Sequence, residues 1–172
     1  MKKLFIALIL VSSLSYVSYA QKGKNEVGLG LNVGFPVGSF GDSYKAGFSG
    51  YVKGLLGVGT SGQATLTTGY SSYKGKGGLY SDYSFSILPI LAGYRHHLSN
   101  FYLEPQLGLG IYKTKAKSES YSATFSETKF TYAIGAGYTI KGFDVGANYQ
   151  SGAMLGQILA HLGFNIPIGS KR

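Results

Sequence analysis

The chain has 172 residues, enough for one domain, and carries 16 Lys and Arg against 7 Asp and Glu, with no cysteine. Without cysteine, a small secreted domain held together by disulfides is excluded. The composition of 27 Gly, 15 Tyr and 10 Phe with no Trp favours many short, tightly packed strands over helices.

The first residues read as a secretory signal peptide. A positive start, Met1–Lys3, precedes an apolar run, Leu4–Val11, and Ser18–Ala20 has the small-x-small pattern of a cleavage site. We therefore predict a signal peptide over residues 1–20 and one domain over residues 21–172. The apolar run is shorter than the about 20 residues that a spanning helix needs. An exported chain that lives in a membrane must then be a closed β-barrel.

Export also decides how the positive charge is interpreted. Without Lys2 and Lys3 the chain keeps 14 Lys and Arg against 7 Asp and Glu. An exported protein has little access to nucleic acid, so we predict no nucleic-acid partner and expect lipid phosphates as the counter-charge.

Eight segments have the period-two pattern of a β-strand. In FYLEPQLGLGIY, for example, apolar residues occupy every odd position, whereas Glu104 and Gln106 lie on the even face. The predicted strands, in chain order, are Glu26–Pro36, Ala46–Val58, Gln63–Tyr73, Asp82–His96, Phe101–Tyr112, Thr124–Ile140, Phe143–Gln150 and Gln157–Ile168.

The connections between these strands alternate in length. Short turns are predicted at Gly59–Gly62, His97–Asn100 and Lys141–Gly142, and longer linkers at Val37–Lys45, Lys74–Ser81 and Lys113–Ala123, with Ser151–Gly156 intermediate. An even number of strands of about ten residues, with short turns at one end and long loops at the other, is typical of a bacterial outer-membrane barrel.

The two faces of the strands indicate which side meets lipid. The polar face is rich in glycine, which suits the crowded interior of a narrow barrel. The other face carries large aliphatic residues, and aromatic residues near the strand ends would form a girdle. A soluble barrel with its apolar face inward is the alternative. The girdle positions are Phe35, Phe48, Tyr83, Phe101, Tyr138, Phe143 and Tyr149.

Two prolines, Pro89 and Pro105, lie inside predicted strands. Proline has no N–H to give to a neighbouring strand, and a closed barrel has no free edge on which to place it. We therefore expect a bulge or a locally open strand pair at each proline.

Two stretches, LPILAGYRHHLSNFYLEPQLGLGIY (Leu88–Tyr112) and KFTYAIGAGYTI (Lys129–Ile140), together with the signal peptide, resemble the outer-membrane β-barrel domains of the porin-like superfamily, in particular small OmpX and OmpA barrels. The resemblance covers residues 21–172. It implies an all-β, eight-stranded antiparallel transmembrane barrel in the outer membrane, inserted by the outer-membrane insertion machinery. Family members often end with an aromatic residue linked to recognition by this machinery. This sequence departs from that pattern, with Ile166–Arg172 at its end, and Phe164 is expected to take the role of the aromatic residue.

If the strand Phe101–Tyr112 lines a barrel, its polar residues Glu104 and Gln106 need partners, because an unpaired buried charge is costly. We predict a polar network that fills the lumen, with an ion pair between Lys53 and Glu104. An interior just wide enough for side chains argues against a general diffusion pore. The predicted network comprises Lys53, Glu104, Gln106, Lys129, Asp144 and His161.

The chain contains no motif that establishes catalysis. His97 and Ser99 are the types used by lipid A deacylases, but they lie in a predicted periplasmic turn with no carboxylate placed to orient the histidine. GVGTSG at Gly57–Gly62 matches a nucleotide-binding pattern only by letter, because a strand follows it rather than a helix. The three histidines lack the spacing of metal ligands. We therefore predict no catalytic residue, cofactor or metal.

The predicted long loops are basic. Lysines in them would meet lipopolysaccharide phosphates at the outer rim or remain solvated. We predict a small, non-enzymatic, monomeric outer-membrane protein with a structural or surface-interaction role, partnered by membrane lipid and lipopolysaccharide. A lipid-modifying enzyme and a soluble periplasmic ligand-binding barrel are the alternatives. The lysines in question are Lys74, Lys76, Lys113, Lys115 and Lys117.

Overall fold

The protein is described by a computed structural model covering residues 24–76, 82–118, 121–152 and 155–168. The predicted signal peptide lies outside the described residues. No helix in the described ranges is long and apolar enough to cross a membrane. The elements are β1 (Glu26–Val37), α1 (Ser39–Ser43), β2 (Gly47–Val58), β3 (Gly62–Lys74), β4 (Asp82–Leu98), β5 (Phe101–Ser118), β6 (Tyr121–Ile140), β7 (Phe143–Gly152) and β8 (Leu155–Pro167).

The eight strands form one closed barrel in chain order, and every neighbouring pair is antiparallel. The barrel closes where β1 pairs with β8, from Glu26 opposite Pro167 to Val37 opposite Gly156. Lys141 and Gly142 both have positive φ, at 49° and 92°, as a two-residue type I′ hairpin requires. The predicted fold class and strand number are confirmed.

The side chains alternate between lipid-facing and lumen-facing positions as predicted. On β5, Leu103, Leu107 and Leu109 are between 43 and 61% exposed, whereas Glu104 and Gln106 between them are buried. All seven predicted girdle aromatics are exposed. A soluble barrel with an apolar interior is therefore the wrong reading, because such a large apolar surface is stable only in lipid.

One long connection is not a loop. The predicted linker Lys113–Ala123 belongs largely to β5 and β6, which pair from Lys113 opposite Ser126 up to Ser118 opposite Tyr121. This segment is rich in Lys, Ser and Thr, which is typical of loops. The period-two alternation of a strand nevertheless continues through it. The linker Val37–Lys45 also differs from an irregular loop, since it contains α1.

The two prolines interrupt the sheet without a bulge. On the β3–β4 ladder no pairs are formed between Gly69 and Pro89 or between Tyr70 and Leu88, and the register is the same on both sides of the gap. The β4–β5 ladder has a similar gap, where Pro105 and its neighbour Glu104 lie opposite Tyr94 and Arg95. The predicted locally open pairs are confirmed.

Candidate functional site

The centre of the lower lumen is Arg95 on β4, whose side chain is fully buried. Its Nε donates to Glu104 Oε2 at 2.8 Å, and its Nη1 donates to Asp144 Oδ2 at 2.7 Å. Glu104 lies on β5 and Asp144 on β7. One guanidinium therefore joins carboxylates from two sides of the barrel, which is the arrangement that keeps buried charges from being unpaired.

The second cation of this cluster is Lys53 on β2. Its Nζ donates to Glu104 Oε2 at 2.9 Å, as the sequence predicts. The other carboxylate oxygen, Glu104 Oε1, accepts a hydrogen bond from Gln106 Nε2 at 2.8 Å, and Gln106 Nε2 also donates to Thr67 Oγ1. Two cations and two carboxylates thus share one buried network.

The Asp144 carboxylate receives further contacts from the opposite wall. Tyr102 Oη donates to Asp144 Oδ1 at 2.6 Å, and His161 Nε2 lies 2.9 Å from the same hydroxyl. Asn165 Nδ2 donates to Asp144 Oδ2 at 3.3 Å. The Arg95 guanidinium carbon also lies 3.7 Å from the centre of the Tyr102 ring, within the range of a cation–π contact.

Five of the six residues predicted for the lumen network are brought together, and one is not. Lys129 is half exposed and lies 3.3 Å from the equally exposed Glu127. It shares the inward-facing positions of β6, but β7 pairs with β6 only as far as Thr131 opposite Gly152. Above that level β6 is bordered only by β5 among the described strands, and the Lys129 side chain is half exposed, so Lys129 is not part of the buried network.

Sequence reasoning missed Arg95 and Tyr102, which are central to the network. The available signal was strand parity. Arg95 shares its face with buried Leu91, and Tyr102 alternates with exposed Phe101 and Leu103. Arg95 is followed by two histidines and lies close to a turn, a composition that is typical of exposed segments. Its lumen position is therefore not evident from the local composition.

The upper lumen is filled by aromatic side chains instead of charges. Phe40 of α1 is inserted into the barrel against Tyr73, Phe85 and Tyr112, with ring centres 5.2 and 5.1 Å from Tyr73 and Phe85. Tyr73 Oη donates to Gln157 Oε1, and Tyr112 Oη lies 2.7 Å from Thr131 Oγ1. This aromatic cap closes the end of the barrel opposite the short turns.

Backbone contacts hold α1 over the barrel mouth. Lys45 N donates to Lys74 O and Lys76 N donates to Ser43 O, both at 2.9 Å. Tyr44 packs against Phe40 at 5.0 Å between ring centres, and burial raises the pKa of the Tyr44 hydroxyl above its ordinary value. The cap is therefore a folded segment of the β1–β2 connection.

The predicted phosphate-contact lysines lie at the same end as this cap. Lys74, Lys113 and Lys115 are exposed, and their strand positions place them on the outer face. Lys74 and Lys115 both pair with Ser84, from either side of β4. Lys76 is exposed and its Nζ donates to Gly41 O at 2.5 Å. Lys117 pairs through its backbone with Asp82, and its side chain lies outside the described set.

His97 and Ser99 lie at the opposite rim, as their turn position predicts. β4 ends at Leu98 and β5 begins at Phe101, so Ser99 is within the two-residue turn. His97 Nε2 contacts the amide Gln63 Oε1 at 2.8 Å. The partner of the histidine is thus an amide and not the carboxylate that a catalytic triad places there.

Comparison with known proteins identifies the fold. No protein-family model and no curated protein matches the sequence. Among solved structures, Ail of Yersinia pestis, crystallised with the heparin analogue sucrose octasulfate, matches with a TM-score of 0.64 at 16% identity, over 86% of this chain and 100% of Ail. Neisserial surface protein A matches with a TM-score of 0.57 at 13% identity, over 84% of this chain and 97% of that one.

A third match is the N-terminal barrel of OprF from Pseudomonas aeruginosa, with a TM-score of 0.51 at 14% identity over 86% of this chain and 100% of that one. This chain folds as an eight-stranded outer-membrane β-barrel. The lipid-facing apolar belt fits that assignment. The resemblance to small OmpX and OmpA barrels and the predicted outer-membrane location are confirmed.

Proposed function

We propose that this barrel is a non-enzymatic surface protein that binds anionic partners through the extracellular ends of β3 to β6. The short turns are assigned to the periplasm, as in other outer-membrane barrels. The long ends of the strands, with their lysines, then face outward from the cell.

The observation that carries this proposal is the unequal height of the barrel wall. β6 pairs with β7 only from Thr131 downward, whereas β5 and β6 continue as a ribbon up to Ser118 and Tyr121. Residues 121–130 of β6 therefore have no neighbour on the β7 side among the described strands. An open strand edge offers backbone donors and acceptors to an extended partner.

Charge makes the partner of this ribbon an anion. Lys113 and Lys115 project from one face of β5, with Lys74 on the same face two strands away. Lipopolysaccharide phosphates, and sulfated or phosphorylated sugars, carry the matching charge. The complex of Ail with the heparin analogue sucrose octasulfate supports this choice, since Ail shares the fold and that ligand is a polyanion.

The closed lumen favours a surface role over transport. Paired charges fill the lower half and Phe40 with its neighbours fills the upper half. Apart from the short gaps at Pro89 and Pro105, the described strands are paired all the way around the barrel, so no edge along the membrane-spanning strands requires a partner subunit. We therefore propose a monomer whose interactions take place at its outer rim, with lipid and lipopolysaccharide around it.

Binding of a sulfated polysaccharide to the barrel in lipid vesicles tests this function. The double variant Lys113→Gln/Lys115→Gln is expected to weaken binding about 10- to 30-fold, because each lysine near an anionic surface contributes about 1 kcal/mol. Raising the salt concentration should reduce the difference, since exposed charges are screened.

The matched control removes the same charge from the other rim. Lys24 and Lys141 are exposed, near the start of β1 and in the β6–β7 turn. Lys24→Gln/Lys141→Gln should bind the polysaccharide as the unaltered protein does. Equal weakening by both double variants would show that net charge alone is responsible and would refute a site on the ribbon.

A further inference from the structure

The gap between β3 and β4 is a weak point in the barrel wall. Four residues form this β3–β4 seam: Gly69 and Tyr70 on one strand, Leu88 and Pro89 on the other, with no pairing between them. Pro89 has no N–H to donate, so the ladder is unpaired here although the register is the same on both sides. Tyr70 is 54% exposed on the lipid-facing side, so the seam lies within the apolar belt.

A cavity lies behind the seam inside the barrel. Its lining includes Pro89 and five consecutive residues of β3, Thr67–Ser71. A strand normally offers only alternate residues to one side, so contact with consecutive residues shows that the cavity reaches the backbone of the wall. Lys53 and His161 of the charged network also line it.

Three amide side chains facing this cavity have polar atoms without a partner. Asn32 Nδ2 donates to Ser49 Oγ, but Asn32 Oδ1, Asn148 Oδ1 and Gln150 Nε2 have no hydrogen bond. Asn32 is only 8% exposed and Gln150 only 4%. Buried polar atoms are normally satisfied, so these three require an occupant that hydrogen-bonds. We call this cavity the amide chamber.

The charges around the amide chamber restrict what it can hold. Lys53 and Arg95 are already matched by Glu104 and Asp144. A charged occupant would therefore remain unpaired in a buried site, which is costly. The cavity volume of about 40 Å³ admits only a small polar group, equivalent to about three water molecules.

We propose that the amide chamber binds the uncharged polar head of a single-chain amphiphile, such as a fatty alcohol, whose hydrocarbon chain passes through the β3–β4 seam into the bilayer. The head accepts a hydrogen bond from Gln150 Nε2 and donates its single hydroxyl proton to Asn32 Oδ1. The chain replaces bilayer lipid beside Tyr70 and Leu88, so entry from the membrane keeps the apolar part in an apolar medium. This site is separate from the basic ribbon and does not depend on it.

The experiment uses the absence of tryptophan in this chain. The Tyr70→Trp variant places a single fluorescent reporter at the seam. Tyr132→Trp is the matched control, because Tyr132 also lies eight residues from the short-turn end of its strand, is similarly exposed, and has partners on both neighbouring strands. Both variants are placed in phosphatidylcholine vesicles, and dodecanol with a terminal bromine is added as quencher.

A specific site and random lipid contact give different quenching curves. We expect quenching of the Tyr70→Trp reporter to saturate at a low mole fraction of bromododecanol, and quenching of the Tyr132→Trp reporter to rise linearly. Adding Asn32→Leu and Gln150→Leu should raise the half-saturation mole fraction about tenfold, as expected for the loss of two hydrogen bonds. A bromododecyl trimethylammonium salt should give no saturating phase.

A second variant tests the proposal in case the Asn32→Leu/Gln150→Leu barrel does not fold. Pro89→Val restores an N–H at the seam and should reduce the saturating phase while leaving the amides in place. Linear and equal quenching of both reporters would overturn the proposal and leave water as the occupant. Saturation that persists unchanged in a folded Asn32→Leu/Gln150→Leu barrel would also overturn it.

Discussion

The lower and upper halves of the lumen are filled in different ways. Below, Lys53, Arg95, Glu104 and Asp144 come from four different strands, β2, β4, β5 and β7, and meet across the barrel. Above, the central group is Phe40, which belongs to the β1–β2 connection and not to the wall. The charges therefore connect distant strands, whereas the cap is attached at one place.

This difference separates the stability of the barrel from the stability of its closure. Breaking a buried ion pair leaves a charge without a partner and destabilises the entire fold. Removing the cap exposes apolar side chains of one segment, and that segment can open while the strands remain paired. Four substitutions test this contrast, from the largest effect on the barrel to the smallest.

Arg95→Leu should have the largest effect. Both Glu104 and Asp144 lose their shared partner, and we expect the free energy of unfolding to fall by about 5 kcal/mol, the upper end for a broken buried pair. Urea unfolding of the barrel in lipid vesicles measures this loss. A decrease below about 1 kcal/mol would mean that the network does not hold the strands together.

Glu104→Leu should be less damaging, because Arg95 keeps Asp144. We expect a loss of about 3 kcal/mol, seen as a lower temperature for disappearance of the folded band on gels. Adding Lys53→Met should recover part of this loss, since the unpaired ammonium group is then removed as well. Unchanged heat resistance of Glu104→Leu would count against the ion pair.

Phe40→Ala should leave the barrel nearly intact but loosen the cap. Truncating a buried Phe costs about 3 kcal/mol or more. Here the loss lowers the free energy that holds α1 over the barrel mouth. Trypsin cleavage after the exposed Lys45 should then accelerate about 100-fold, because cleavage follows the open population. Phe48→Ala, on the lipid-facing side, is the control and should not change this rate. A large loss of unfolding free energy in Phe40→Ala would remove the distinction between the two halves.

Lys129→Gln should have the smallest effect. Its contact with Glu127 is exposed on both sides, and such pairs contribute about 0.5 kcal/mol or less. The same urea measurement as for Arg95→Leu should show no resolved change. A loss comparable to that of Glu104→Leu would place Lys129 in a buried network after all.

The sequence predicts the barrel well because membrane strands follow a strict rule. Each residue between Phe101 and Tyr112 faces lipid or lumen, and alternation records that choice directly. The same rule put Lys53 and Glu104 on lumen faces, and counting residues from the short turns put them at one height. Assignment failed for Lys129, because parity gives a face but not the height at which the neighbouring strand ends.

The cap and the central arginine could not be predicted in the same way. Phe40 lies in a connection of mixed composition, where no periodicity indicates which side chain turns inward. Arg95 obeys the alternation, but its role depends on meeting Glu104 and Asp144 at one height, and that depends on the register of several strand pairs. Register is set by turns and packing together, so it is not visible in any single segment.

With the long strand ends facing outward as proposed, the uneven rim also determines which part of the barrel other cells and molecules meet first. Residues 121–130 extend beyond the last residue of β6 that is paired with β7. At about 3.3 Å per residue and the tilt of a barrel strand, this stretch of β6 rises roughly 25 Å above the paired end of β7. Antibodies and bacteriophages approaching the bacterium would therefore contact the ribbon before the shorter strands, so sequence changes that evade them should accumulate there.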